Sequence, residues 1–175
     1  MNIISDDILK IVKNKKRLEN LLEVKIIIRG KEISVEGSPE NGYIAEKVID
    51  AINFGFPISI ALLIKEEDFL FEILDIKKYT HRKDLERIRA RIIGKNGKTL
   101  KTLSHLTECF FEIKDNNIGI IGSPERIKNA QNAIIFLIQG SKQANVYSFL
   151  EKHHVQPVFD LGLKERKKGN KRVKE

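Results

Sequence analysis

"RIIGKNGKTLKTL", residues 91–103, decides the fold. Gly94 and Gly97 bracket Lys95 and Asn96 inside a basic run that is helix-prone on both sides. Glycine within a helix costs about 0.5–1 kcal/mol relative to alanine, so a pair three apart needs a reason beyond propensity. "GKNGKT" ends like a P-loop, but that motif needs a further glycine five residues before Gly97, where Ile92 stands. It also needs a buried strand ahead of it, where this chain has a charged helical pattern. Two readings are left: a plain helix end with a glycine C-cap, or a tight glycine loop joining two helices at an angle. In the second, the backbone approaches a partner without a Cβ in the way, and N–H groups with Lys95 and Lys98 meet phosphates. Ile88, Ile92, Ile93, Leu100, Leu103, Phe111 and Ile113 would then floor an apolar cleft for unstacked bases.

The chain also repeats itself. Gly37-Ser38-Pro39-Glu40 recurs as Gly122-Ser123-Pro124-Glu125, an offset of 85. Ahead of each copy an alternating apolar stretch, "VKIIIRGKEISV" and "CFFEIKDNNIGII", reads as a β-hairpin turning at Arg29-Gly30-Lys31 and at Asp115-Asn116-Asn117. After each copy comes an amphipathic helix that Ser caps, Pro starts and Glu complements at its positive end. A helical pattern precedes each hairpin, and short strands "NII" (2–4) and "LFEILDI" (70–76) lead. Each half is therefore predicted to run strand, helix, helix, strand, strand, helix, an α+β fold built by duplication. The expected units are residues 1–68, ending in a linker helix that starts at Pro57 and buries Leu62, Leu63 and Ile64, and residues 69–160, ending in the short helix "ANVYSFLEKHH". Residues 161–175 form a basic tail without apolar periodicity, expected to be disordered.

Charge divides the same way. The net charge of +8 is made up of −3 over residues 1–74, +6 over 75–163 and +5 over 164–175. Cationic character in the second half and tail points to a polyanion, most simply nucleic acid, against the plain alternative of a solvated lysine-rich surface. The tail would act as a backbone-binding arm with strong salt dependence, or simply as a solvated terminus. No apolar run reaches the length needed to cross a bilayer, no export signal opens the sequence, and Cys109 is the single cysteine. The expectation is a cytoplasmic protein without cofactor or metal: His153-His154 have no accompanying cluster, and Cys109 is expected to be a buried apolar residue. Paired carboxylates, metal-ligand clusters and nucleophile–base sets are missing, so an RNA-processing enzyme is disfavoured.

The order strand–helix–GxxG–helix–strand–strand–helix resembles a type I KH domain. Arg91–Thr99, the helix end at Gly140-Ser141 and Val146-Tyr147 with Phe149-Leu150-Glu151 further resemble the two-KH ribosome-assembly factors that partner the Nob endonuclease, in their archaeal form. The resemblance covers residues 53–152 and, more loosely, the whole chain. It implies two tandem type I KH domains, the first without GxxG. There "KIVKNKKRLENL" replaces "IIGKNGKTLKTL", and the loop is shortened, so the first unit is expected to be a scaffold or protein-docking surface. It further implies a non-catalytic protein binding single-stranded pre-rRNA near the small-subunit rRNA 3′ end. The implied partners are a Nob-type endonuclease and the α subunit of initiation factor two. The expected RNA-contacting residues are Arg91, Ile92, Ile93, Gly94, Lys95, Asn96, Gly97, Lys98, Thr99, Lys101 and Phe111, with Arg91 the best placed of the alternating Arg87, Arg89 and Arg91. The competing expectation is a general single-strand RNA binder acting on mRNA.

Overall fold

A computed structural model describes residues 2–4, 8–67 and 69–153. The expected basic tail lies outside them. The elements run β1 (Asn2–Ile4), α1 (Ile8–Leu22), β2 (Lys25–Arg29), β3 (Glu32–Glu36), α2 (Pro39–Phe54), α3 (Ile58–Ala61) and α4 (Leu63–Glu66). They continue with β4 (Leu70–Asp75), α5 (Leu85–Ile93), α6 (Lys98–Thr107), β5 (Phe110–Lys114), β6 (Asn117–Gly122), α7 (Pro124–Gln139) and α8 (Gln143–Lys152). The two antiparallel sheets have the same plan, β1-β3-β2 and β4-β6-β5, with the third strand of each unit in the middle.

The hairpins turn where the sequence places them. Gly30 takes φ +62° between β2 and β3, and Asp115 takes φ +54° between β5 and β6. Both Ser-Pro-Glu signals open helices, but only one serine caps as expected. Ser38 Oγ accepts from the Asn41 N–H at 3.2 Å, whereas Ser123 makes no such bond and its buried hydroxyl has no partner among the described residues. Pro57 precedes α3, and Leu62 and Ile64 enter the core while Leu63 is half-buried.

The first unit departs from the expected pair of helices. Residues 8–22 form one continuous helix, so this unit runs β-α-β-β-α, with no loop at Val12–Lys15. Ile11, Leu18 and Leu22 form a single buried stripe, at the spacing one straight helix requires. Asn14 donates to the Lys10 carbonyl four residues back at 2.9 Å, and Lys15 pairs with Glu19 at 3.8 Å. Without glycine to break it, the residues that form the loop of the second unit become ordinary helical turns here.

Strand β6 joins the units. Alternation sends Ile118 and Ile120 to the helices α5, α6 and α7, and Gly119 and Ile121 to the opposite face. The first unit covers that opposite face. Phe54 and Phe56, at the end of α2, meet Phe71 of β4 at centroid distances of 6.0 and 5.8 Å, both edge-on. Ile121 belongs to the core of the first unit, with Phe110 packed beside it. Lys114 Nζ donates to the Asn53 carbonyl at 2.9 Å across the same junction. Gly119 makes the approach feasible: a Cβ there would lie 2.7 Å from the rings of both Phe54 and Phe56.

Gly119→Ala is expected to force these rings apart and cost about 1–3 kcal/mol, read as a lower midpoint in chemical denaturation. Cys109, 1% exposed with its sulfur against Gly122, has its thiol pushed up by burial to about 11. The fold thus favours the protonated thiol, and that contribution is complete below pH 9 and lost as pH rises through 11. The native thiol should resist alkylation at pH 8, and Cys109→Ala should flatten the loss of stability between pH 9 and 11.

Candidate nucleic-acid interface

The segment opened by Gly94 is a tight loop between α5 and α6. Asn96 (φ +54°, ψ +30°) and Gly97 (φ +74°, ψ +12°) are left-handed, and Gly94 (φ +74°, ψ +173°) sits in a region open essentially to glycine alone. Asparagine tolerates the left-handed conformation, so the single side chain forced into it here is of a suitable type. The Gly97 N–H donates to the Gly94 carbonyl at 3.1 Å and closes the turn. Lys95, Asn96 and Lys98 are exposed, as is Lys101 one turn later, and Ile93 is 37% exposed at the entry to the loop.

The two glycines have different reasons. A Cβ on Gly94 would lie 2.1 Å from Thr99 Oγ1 and 2.8 Å from the Thr99 backbone nitrogen, so packing inside the protein requires that glycine. Among the described residues, a Cβ on Gly97 would meet nothing within 4 Å. Its surface is open, and only the backbone angle constrains it.

Other expected contact residues support the loop from behind. Thr99 is 3% exposed and accepts from Gln143 Nε2 of α8 at 2.8 Å, while the same nitrogen reaches the Arg91 carbonyl at 3.4 Å. Arg91 itself donates to the carbonyls of Gly140 and Ser141, satisfying the end of α7. Arg89 donates to the Asp115 carbonyl in the hairpin turn at 2.7 Å. Two of the three alternating arginines are thus committed to the fold, and Arg87 is the exposed one. Ile92 is wholly buried, as are Leu103 and, at 3% exposure, Ile88. The expected cleft floor is corrected accordingly: these three hold α5 and α6 to the core, because the stripe that faces the sheet cannot also face solvent.

A groove of about 360 Å³ runs beside the loop, between α6 and the edge strand β5. Gly97, Leu100 and Lys101 line one side, and Phe111 lines the other. Phe56, Pro57 and Ile60, from the first unit, form a further wall. No local pattern in the sequence announces that wall; tertiary packing of the linker brings it there. The volume lies in the range of small-ligand clefts, roughly 300–1,000 Å³. Among the described residues no group of three or more His, Cys, Asp or Glu is placed to hold a metal ion, and no helix is long and apolar enough to cross a membrane.

The asymmetry between the glycines is testable. Gly94→Ala should cost more than about 2 kcal/mol through strain and overlap with Thr99. Gly97→Ala should cost only about 1 kcal/mol, the penalty of a left-handed residue. Thermal denaturation of the two variants compares them directly.

Residues 70–155 match the family model of the second KH domain of PNO1, described as a eukaryotic type KH-domain, KH-domain type I. A KH domain-containing protein of Methanocaldococcus jannaschii is 30% identical over 145 residues, covering 79% of this chain and 64% of its own length. The pre-rRNA-processing protein pno1 of Aspergillus oryzae is 31% identical over 140 residues, covering 75% of this chain and 54% of its own. The chain therefore spans somewhat more than half the length of these relatives. Among solved structures, the a/eIF2alpha-aDim2p-rRNA complex from Pyrococcus horikoshii contains a chain that superposes with a TM-score of 0.78 at 26% identity, covering 88% of this chain and 93% of that one. With its GxxG loop and its β4-β6-β5 sheet, the second unit is a type I KH domain similar to the second KH domain of PNO1, and the chain resembles the PNO1/Dim2 proteins.

Proposed function

We propose that the second unit binds single-stranded RNA, with the phosphate backbone on the Lys95–Gly97 loop and bases entering the groove between α6 and β5. The observation that carries this reading is the placement of an open, unhindered Gly97 backbone between exposed Lys95, Asn96 and Lys98, directly at the mouth of an apolar groove. Backbone N–H groups and cations on one lip, with apolar side chains inside, suit a strand whose phosphates stay wet and whose bases are unstacked. Gly97 is open because the ligand, rather than the protein, fills that space. Lys101 adds a second cation along the strand.

The RNA we assign is precursor small-subunit rRNA near its 3′ end. The relative from Aspergillus oryzae is named for pre-rRNA processing, and the Pyrococcus chain was crystallised with rRNA and a/eIF2alpha, which supports this choice over mRNA. The protein acts as a non-catalytic, cytoplasmic binding factor that holds or shields the strand. A Nob-type endonuclease and the α subunit of initiation factor two are its proposed partners. The first unit, with an unbroken α1 in place of a glycine loop, reads as a degenerate KH unit that serves as scaffold and docking surface.

Replacing Lys95 and Asn96 together by aspartate is expected to lower affinity for single-stranded RNA by about a hundredfold or more through phosphate repulsion. The thermal midpoint should stay close to that of the unaltered chain, since both side chains are exposed and Asp, like Asn, tolerates the left-handed angle. Filter binding at fixed salt, with melting monitored in parallel, checks this; unchanged affinity removes the reading. Sequencing of crosslinked RNA from cells decides between rRNA and mRNA.

A further inference from the structure

The groove holds a group that the backbone-and-stacking account leaves unused. Glu112 of β5 lines it, half-buried, with its stem lying on the backbone of Gly55: a Cβ there would be 3.2 Å from Glu112 Cγ. Among the described residues no hydrogen bond or ion pair engages its carboxylate. A carboxylate facing a phosphate strand repels it, so this residue type is out of place if the groove only grips backbone. It suits the groove if a base presents hydrogen-bond donors there.

Resting on the RNA-binding reading above, we propose that Glu112 and the linker wall at Pro57 and Ile60 form a base-reading subsite selective for guanine. The chemistry chooses the base. An ionised carboxylate only accepts, and it can do so with both oxygens. On the Watson–Crick edge, guanine alone presents two adjacent donor groups, N1–H and the exocyclic amino group. Cytosine and adenine pair one amino donor with a neighbouring acceptor, and uracil flanks its single N–H with two carbonyls that the carboxylate repels. Pro57 and Ile60 supply an apolar surface in the same groove, against which a flat ring is desolvated and the hydrogen bonds to Glu112 gain strength. Lys101, on the groove's other side, meets the phosphate of the same nucleotide and offsets the negative charge. The subsite is thus composite: the second unit reads the base edge and the first unit covers its face. The first unit contributes to RNA recognition although it has no glycine loop.

The test uses the full chain and short oligoribonucleotides in which each position is varied in turn through the four bases, read by fluorescence anisotropy. At one position guanine should bind at least about tenfold more tightly than uracil, within the discrimination a bidentate base contact supplies. Glu112→Gln keeps the shape but leaves a single acceptor, and should remove most of that preference while uracil-containing strands bind equally or better. Absence of a guanine preference, or one unmoved in Glu112→Gln, overturns the subsite, while loss of all binding in the Lys95/Asn96 double aspartate variant shows that the loop reading still stands. Ultraviolet crosslinking followed by peptide mapping tests the wall: crosslinks at Pro57–Ile60 support it, and crosslinks confined to residues 91–112 overturn it.

Discussion

The missing side chain of Gly119 sets how the two halves of this molecule meet. Only a glycine lets the rings of Phe54 and Phe56 come down onto the central strand of the second sheet. From that approach follow the burial of Ile121 in the neighbouring core, the edge-on packing of Phe71, and the bond from Lys114 to Asn53. Full burial of an isoleucine is worth about 1.5–3 kcal/mol, so Ile121 alone ties the units substantially. The same contact carries Pro57 and Ile60 to the groove.

The loop at the other lip of that groove depends on a second, smaller constraint. Its shape is held from beneath, by Thr99 against Gly94, Gln143 against Thr99, and Arg91 across the end of α7. These groups face inward and are satisfied. What remains on the outside is a short run of cations, Lys95, Lys98 and Lys101, exposed over a bare backbone. Rigid support below and open charge above is the arrangement that binding a flexible polyanion requires, because the strand then bears the ordering cost and the protein does not.

Much of this was legible in the sequence, for reasons that are local. The Gly-Ser-Pro-Glu repeat marks helix starts, the alternation around Gly30 and Asp115 marks hairpins, and the two glycines mark a break, because each is a statement about backbone angle that neighbours in sequence control. The departures are tertiary. In α1 the conflict was between a family pattern and the plain helical stripe Ile11, Leu18, Leu22, and the stripe prevailed. The spacing of Ile88, Ile92 and Leu103 suits a cleft floor as well as a core, because an apolar stripe looks the same whether it faces a sheet or a ligand. The structural role of Arg91 is not legible locally, because no local rule shows the carbonyls of Gly140 and Ser141 arriving beside it. The linker wall was invisible for the same reason, since about forty residues separate Ile60 from Leu100.

A strand covered on one face by its own helices and on the other by a neighbouring unit has no cheap way to come apart. Opening the first unit would expose apolar surface of β6, and opening the second would leave Phe54 and Phe56 bare, so each half stabilises the other. Cooperativity then runs both ways. Under the proposed function, a strand of RNA seated in the groove would tighten the first unit at a distance from the loop, and a protein docked on the first unit would tune the groove's affinity, through no moving part other than the shared core.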